Sequence, residues 1–286
     1  MSAVLQRLFG GVPVRALVGL GLLGIALLIA PLALPSWVPL MVLIFYFAYV
    51  GQAWNIMMGF AGQLSLGHSL YIGLGAYAAA ALYMKADIGP WAGIFVAIAA
   101  ATLIGGIIGY LGFRFAITGV YFALLTIAFA EFFRILFDHI DWLGASAGFY
   151  LKVENRQEND LLNLRGSPTM FYYVMLSLVV LAFGLCRWLL TGRLGQYWLA
   201  IREDPEAAQA TGINVFRYKM IAVLLSSGMT ALGGVYIAFY YKTSTPSRFS
   251  PWVDPSSCCW GRLSAAWARC SDRSWDLRFW LSSAKS

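Results

Sequence analysis

ALVGLGLLGIALLIAPLALPSWVPLMVLIFYFAYV, the stretch from Ala16 to Val50, contains no charged residue. About 20 apolar residues in a helix match the hydrocarbon thickness of a bilayer. Backbone N–H and C=O groups in lipid must pair within their own segment, so such stretches are helical. Two spans are read here, about Val14–Leu34 and Val38–Met58. Arg7 and Arg15 ahead of the run resemble the start of a signal peptide. The run from Ala16 to Leu34 is longer than a signal peptide's apolar region, and Pro31 and Pro35 leave no clean cleavage site. An uncleaved first span is therefore expected.

Composition points the same way along the whole chain. Of 286 residues, 60% are hydrophobic and 12% charged, and mean hydropathy is +0.71. Soluble domains carry roughly 25% charged residues. The net charge of +7 does not indicate nucleic acid, because no basic cluster is interleaved with stacking aromatics. Basic residues flanking membrane spans account for it. Three of the four cysteines, Cys258, Cys259 and Cys270, fall in the last segment, and no CxxC pair occurs. Neither a disulfide framework nor a metal site is indicated.

Five further spans are predicted: Leu64–Met84, Trp91–Leu111, Ile117–Phe137, Met170–Leu190 and Lys219–Tyr241. The expected fold class is all-α, a polytopic integral membrane protein with about seven transmembrane helices. With a cytoplasmic N-terminus, Arg7, Arg15, Arg114, Arg187, Arg193, Arg202, Arg217 and Lys219 all fall inside. The acidic loop from Asp138 to Pro168 then falls outside. This parity requires the third, Gly- and Ala-rich segment to cross fully. That segment carries Gly62, Gly67, Gly73 and Gly75. Small residues of this kind serve close helix packing or a broken helix lining a polar path; both readings stand.

Among single residues, His68 either lines a path or hydrogen-bonds a neighbouring helix. Asn55, Gln63 and Ser65 either contact a zwitterionic substrate or bind helices together. Glu131 and Arg134, three apart near a span end, are expected to pair.

The segment from Arg202 to Asn214 has a different character. Asp204 suits a helix N-cap and Pro205 the first helical position. Glu206 lies near the positive end of the dipole, and Gly212 suits a left-handed C-terminal stop. A capped helix in a cytoplasmic loop is longer and better marked than a plain connector, so it is expected to touch something.

Glu206-Ala207-Ala208 followed by Gly212 resembles the EAA loop of ABC importer permeases. Gly59-Phe60-Ala61-Gly62-Gln63-Leu64-Ser65-Leu66-Gly67-His68, then Gly73-Leu74-Gly75-Ala76-Tyr77, resembles the signature of branched-chain amino-acid permeases. Thr118–Thr126 and Ala130-Glu131 are similar to the LivM type of that family. The resemblance covers roughly Asn55–Tyr241. It implies that Asp204, Glu206, Ala207, Ala208 and Gly212 couple to an ATPase, and that Asn55, Gln63, Ser65 and His68 border a translocation path. It also implies a sister permease subunit of LivH type, two ATP-binding cassette subunits and a periplasmic substrate-binding protein, in a bacterial inner membrane. The chain has no GxxxxGK[ST] loop, so ATP would be bound by partner subunits. No catalytic residue, cofactor or metal is expected. Urea and short-amide permeases look similar, and a secondary carrier remains the alternative from another class. Convincing central charges, which ion-coupled carriers use, are absent from the spans.

Residues 1–250 are expected to form the permease domain. From about Ser250 the pattern changes: the tail holds Trp252, Trp260, Trp267, Trp275 and Trp280 and adds Arg262, Arg269, Arg273 and Arg278. No apolar helical stripe persists in 251–286. The family's closing helices are expected to be missing there. A frameshift of a GC-rich coding strand is the expected cause, with a lineage-specific tail as the competing reading.

Overall fold

The computed structural model describes residues 14–86, 89–140, 149–150, 167–241 and 243–244. The tail from 251 to 286 and most of the acidic loop lie outside the described residues. Nine α-helices are described: α1 Val14–Ala33, α2 Val38–Asn55, α3 His68–Ala86, α4 Pro90–Arg114, α5 Val120–Asp138, α6 Pro168–Thr191, α7 Arg193–Glu203, α8 Pro205–Ala210 and α9 Val215–Tyr241. A two-residue antiparallel ladder pairs β1 Phe149–Tyr150 with β2 Thr243–Ser244.

Among the described residues, five helices are long and apolar enough to cross a membrane: Pro35–Phe60 (a 3₁₀ turn, α2 and a π turn), α4, α5, α6 and α9. α1 adds a shorter apolar stretch, Gly24–Ala33. α3 has 19 residues but is not apolar enough to be counted by composition. Large apolar side chains point outward, among them Phe95, Leu103, Tyr121 and Leu181. Buried in their place are Gln63, Ser65, His68, Thr126, Ser226, Ser227 and Thr230. A surface of large apolar side chains around a mostly apolar core that also holds these polar groups departs from the soluble pattern. It fits a bundle solvated by lipid, whose helices associate through small residues and interhelical hydrogen bonds.

α9 is the central helix. Of its apolar span 67% is buried, against 22% for α5 and for α6. α3 runs beside it in the same direction, from His68 opposite Ser226 to Tyr83 opposite Phe239. A Cβ at Gly75 would collide with the backbone carbonyl of Ala231, and one at Gly234 with that of Ile72. The two backbones therefore touch at this crossing, which is the packing use of small residues. α4 runs the opposite way along α9, with Thr102 near Gly228 and Tyr110 near Phe216. α2 also opposes α9: Tyr49 Oη donates to Met229 O (2.9 Å) and Ser226 Oγ to Ala53 O (2.7 Å).

These pairings place the helix ends. The ends of α2, α4 and α6 meet the starts of α3, α5 and α9 at one end of the bundle. Arg114, Arg187, Arg193, Arg202, Arg217 and Lys219 gather there, and the C-terminal half of α1 lies at the other end, where Tyr172 Oη donates to Leu27 O. That opposite end carries Arg134, which binds Glu131 at 2.7 Å and Asp138 at 3.1 Å. The expected Glu131–Arg134 pair thus forms, with Asp138 added.

The third segment differs from expectation at its start. A helix from Leu64 was predicted, but α3 begins at His68. α2 gives way to a π turn, Ile56–Phe60, and residues 61–67 are not helical. The reason is local. Gly62 has φ +65°, which ends helical geometry. Gln63 N then bonds Met57 O at 2.9 Å, and Leu66 N bonds Thr126 Oγ1 at 3.2 Å.

Candidate functional site

At the basic end, α6 turns at Gly192 into α7. α7 is seated by Trp198, which is fully buried and donates from Nε1 to Tyr218 O at 2.8 Å. Ile56, Phe60, Cys186, Leu189 and Ala222 form its socket. Cys186 makes no disulfide. α7 is thereby locked to the start of α9 before α8 begins.

α8 is built as its sequence implies. Asp204 Oδ1 accepts from Glu206 N at 2.8 Å and Ala207 N at 3.1 Å. Pro205 occupies the first position, where no N–H is needed. At the other end Gly212 has φ +88°. Ile213 N bonds Ala208 O at 3.2 Å and Gly212 N bonds Gln209 O at 2.9 Å. That pair of bonds is the Schellman arrangement, which satisfies the last carbonyls. Ala208 is buried against the bundle, while Glu206, Ala207, Gln209 and Ala210 are exposed. Asn214 Oδ1 then caps α9 by accepting from Arg217 N at 3.1 Å. A cavity of about 370 Å³ lies beside α8, lined by Tyr197, Thr211, Gly212, Ile213, Asn214, Arg217 and Tyr218.

Next to α7 lies the irregular segment 61–67. Arg202 Nη1 donates to Gly59 O at 2.6 Å. Trp54 Nε1 donates to Ser65 O at 2.9 Å, and Gln63 Nε2 to Ala61 O at 3.1 Å. Asn55 is half-buried, and its side chain covers Gly59. Gln63, Ser65 and His68 are buried. The four expected path residues therefore fall in one region, around one break between two helices. None lines the cavity beside α8.

His68 Nε2 and Ser226 Oγ are 2.9 Å apart. The single hydroxyl proton of Ser226 goes to Ala53 O, so Ser226 accepts and His68 Nε2 donates. This assigns a proton to Nε2, and Nδ1 has no hydrogen-bond partner. Ser65 Oγ likewise has none. In this conformation His68 binds a neighbouring helix, the second of its two sequence readings. Ser226, Thr230 and Thr126 join this buried polar strip; Thr126 lay in a family-like stretch, while Ser226 and Thr230 carried no sequence motif. Among the described residues no three His, Cys, Asp or Glu side chains come together to hold a metal.

A bundle of long apolar helices that turns large apolar side chains outward and carries a capped surface helix at one end is a multi-pass membrane protein. Residues 36–256 match the family described as branched-chain amino acid transport system / permease component, and the chain belongs to that family. It is 27% identical over 252 residues to the high-affinity branched-chain amino acid transport system permease protein LivM of Escherichia coli (strain K12), covering 79% of this chain and 59% of that one. The LivM protein of Salmonella typhimurium (strain LT2) is 26% identical over 222 residues, 70% of this chain and 52% of the relative. The chain thus spans between half and three-fifths of these relatives' length. No solved structure matches it.

Proposed function

We propose that this chain is a transmembrane permease subunit of an ATP-driven ABC importer for branched-chain, hydrophobic amino acids. Family membership supports the transport class. The observation that carries the ATP-driven part is α8: a helix fixed at both ends, packed through Ala208 and presenting Glu206, Ala207, Gln209 and Ala210 outward. A rigid exposed helix on a socketed base can receive force from a partner without melting. The partner is an ATP-binding cassette subunit, two per assembly, with a LivH-type sister permease and a periplasmic substrate-binding protein completing it. The assembly sits in a bacterial inner membrane. Asn55, Gln63, Ser65 and His68 border the route.

The test is uptake by the reconstituted assembly in proteoliposomes. Leucine accumulation should require ATP and stop when ATP-binding subunits are omitted. Accumulation driven by an ion gradient without ATP would identify a secondary carrier. Uptake of urea in place of leucine would reassign the substrate and leave the ATP-driven class standing.

A further inference from the structure

Gly59 lies within the π turn, and its carbonyl falls outside the helical ladder. The N–H four residues on, that of Gln63, bonds Met57 O instead. Arg202 supplies the missing donor, at 2.6 Å from Nη1. The same side chain closes over Gly62, where a Cβ would stand 2.8 Å from Arg202 Cγ and 3.3 Å from its Cα. Arg202 is next to last in α7, and Pro205 opens α8 three residues later. Its other terminal nitrogen, Nη2, stands 3.6 Å from Glu203 Oε1 at the surface, an ion pair of little worth. A charged donor to a carbonyl is the stronger bond. One guanidinium therefore has its stem at the base of α8 and its head in the break that leads to Gln63, Ser65 and His68.

We infer that Arg202 is the positioning residue through which displacement of α8 reaches the irregular segment between Gly59 and His68. It touches no substrate, and its role rests on the ATP-driven reading above. Movement of α8 shifts the Arg202 stem. The guanidinium then pulls on Gly59 O, and the stem shifts over Gly62. The Trp54–Ser65 and Leu66–Thr126 bonds carry that shift toward α2 and α5. The Arg202 side chain is 46% exposed, so its truncation opens no core cavity.

The test couples two measurements on the complete reconstituted assembly: ATP hydrolysed and leucine transported. Arg202→Ala should leave subunit recovery and ATP hydrolysis within about twofold, as for most surface substitutions. Leucine moved per ATP should fall about tenfold, within the range of measured coupling changes. Arg202→Lys, which keeps a cationic donor but loses the fork, should recover a substantial part of that ratio. An unchanged ratio in Arg202→Ala overturns the inference and leaves the functional reading intact. Lost subunit recovery with a normal ratio in the remainder also overturns it, by assigning Arg202 to docking alone. Absence of ATP-driven uptake by the wild-type assembly removes the functional reading, and this inference with it.

Discussion

Gly75 shows what a single position decides in this bundle. A Cβ there meets the backbone of Ala231, which has no rotamer to turn aside. Gly75→Val should therefore push α3 off α9 and cost about 1–3 kcal/mol, the usual range for overpacking. Gly24 in α1 has nothing within 4 Å of its would-be Cβ, and Gly24→Ala should stay within about 0.5 kcal/mol of wild type. Thermal unfolding of the detergent-purified protein, followed by size exclusion, compares the two. Equal midpoints would show that the α3–α9 crossing is looser than described. The small residues of the third segment were visible in the sequence. That Gly75 is a contact and Gly24 is open was not, because the distinction depends on which helix lies opposite.

At the scale of elements, α8 was legible in advance because each of its signals acts within a few residues. A cap needs only Asp204 and the two N–H groups after Pro205; the stop needs only Gly212 and the carbonyls before it. Asp204→Ala should destabilise the helix by about 0.5–2 kcal/mol, the usual loss for an N-cap. Gly212→Val places a β-branched side chain at φ +88°, where L-residues lose about 1–2 kcal/mol. Both should reduce recovery of the ATP-binding subunit on affinity purification and lower ATP-driven uptake. Gly212→Asn, tolerated in left-handed geometry, should retain more of each. Wild-type recovery and uptake in Gly212→Val would remove α8 as the coupling element. The start of α3 was less legible. Leu64–Gly67 is apolar enough to extend a helix, and only the bonds from Gln63 to Met57 and from Leu66 to Thr126 show why it does not.

For the whole molecule, alternating helix directions collect six basic residues, Arg114 through Lys219, at one end, and the acidic partners of Arg134 at the other. Lys and Arg are retained on the cytoplasmic side, so α8 is expected on the cytoplasmic side and the end of α5 outside. Single cysteines at Gln209 and His139, both exposed, test this in a background with Cys186, Cys258, Cys259 and Cys270 replaced by serine. An impermeant thiol reagent should label position 139 in intact cells and position 209 only after permeabilisation. The reverse pattern would invert the orientation and place α8 out of reach of any cytoplasmic ATPase.

By itself the sequence determined the solvent of this protein, the approximate place of its spans, the caps of α8 and the Glu131–Arg134 pair. Each follows from local composition or from neighbours three or four residues apart, where helical geometry alone sets the distance. The tertiary structure decided that α9 is the centre, that His68 binds Ser226 across 158 positions, and that Arg202 reaches Gly59 across 143. No local rule joins residues so far apart. A donor finds a particular carbonyl only once packing has brought two helices together and a π turn has left that carbonyl without a partner.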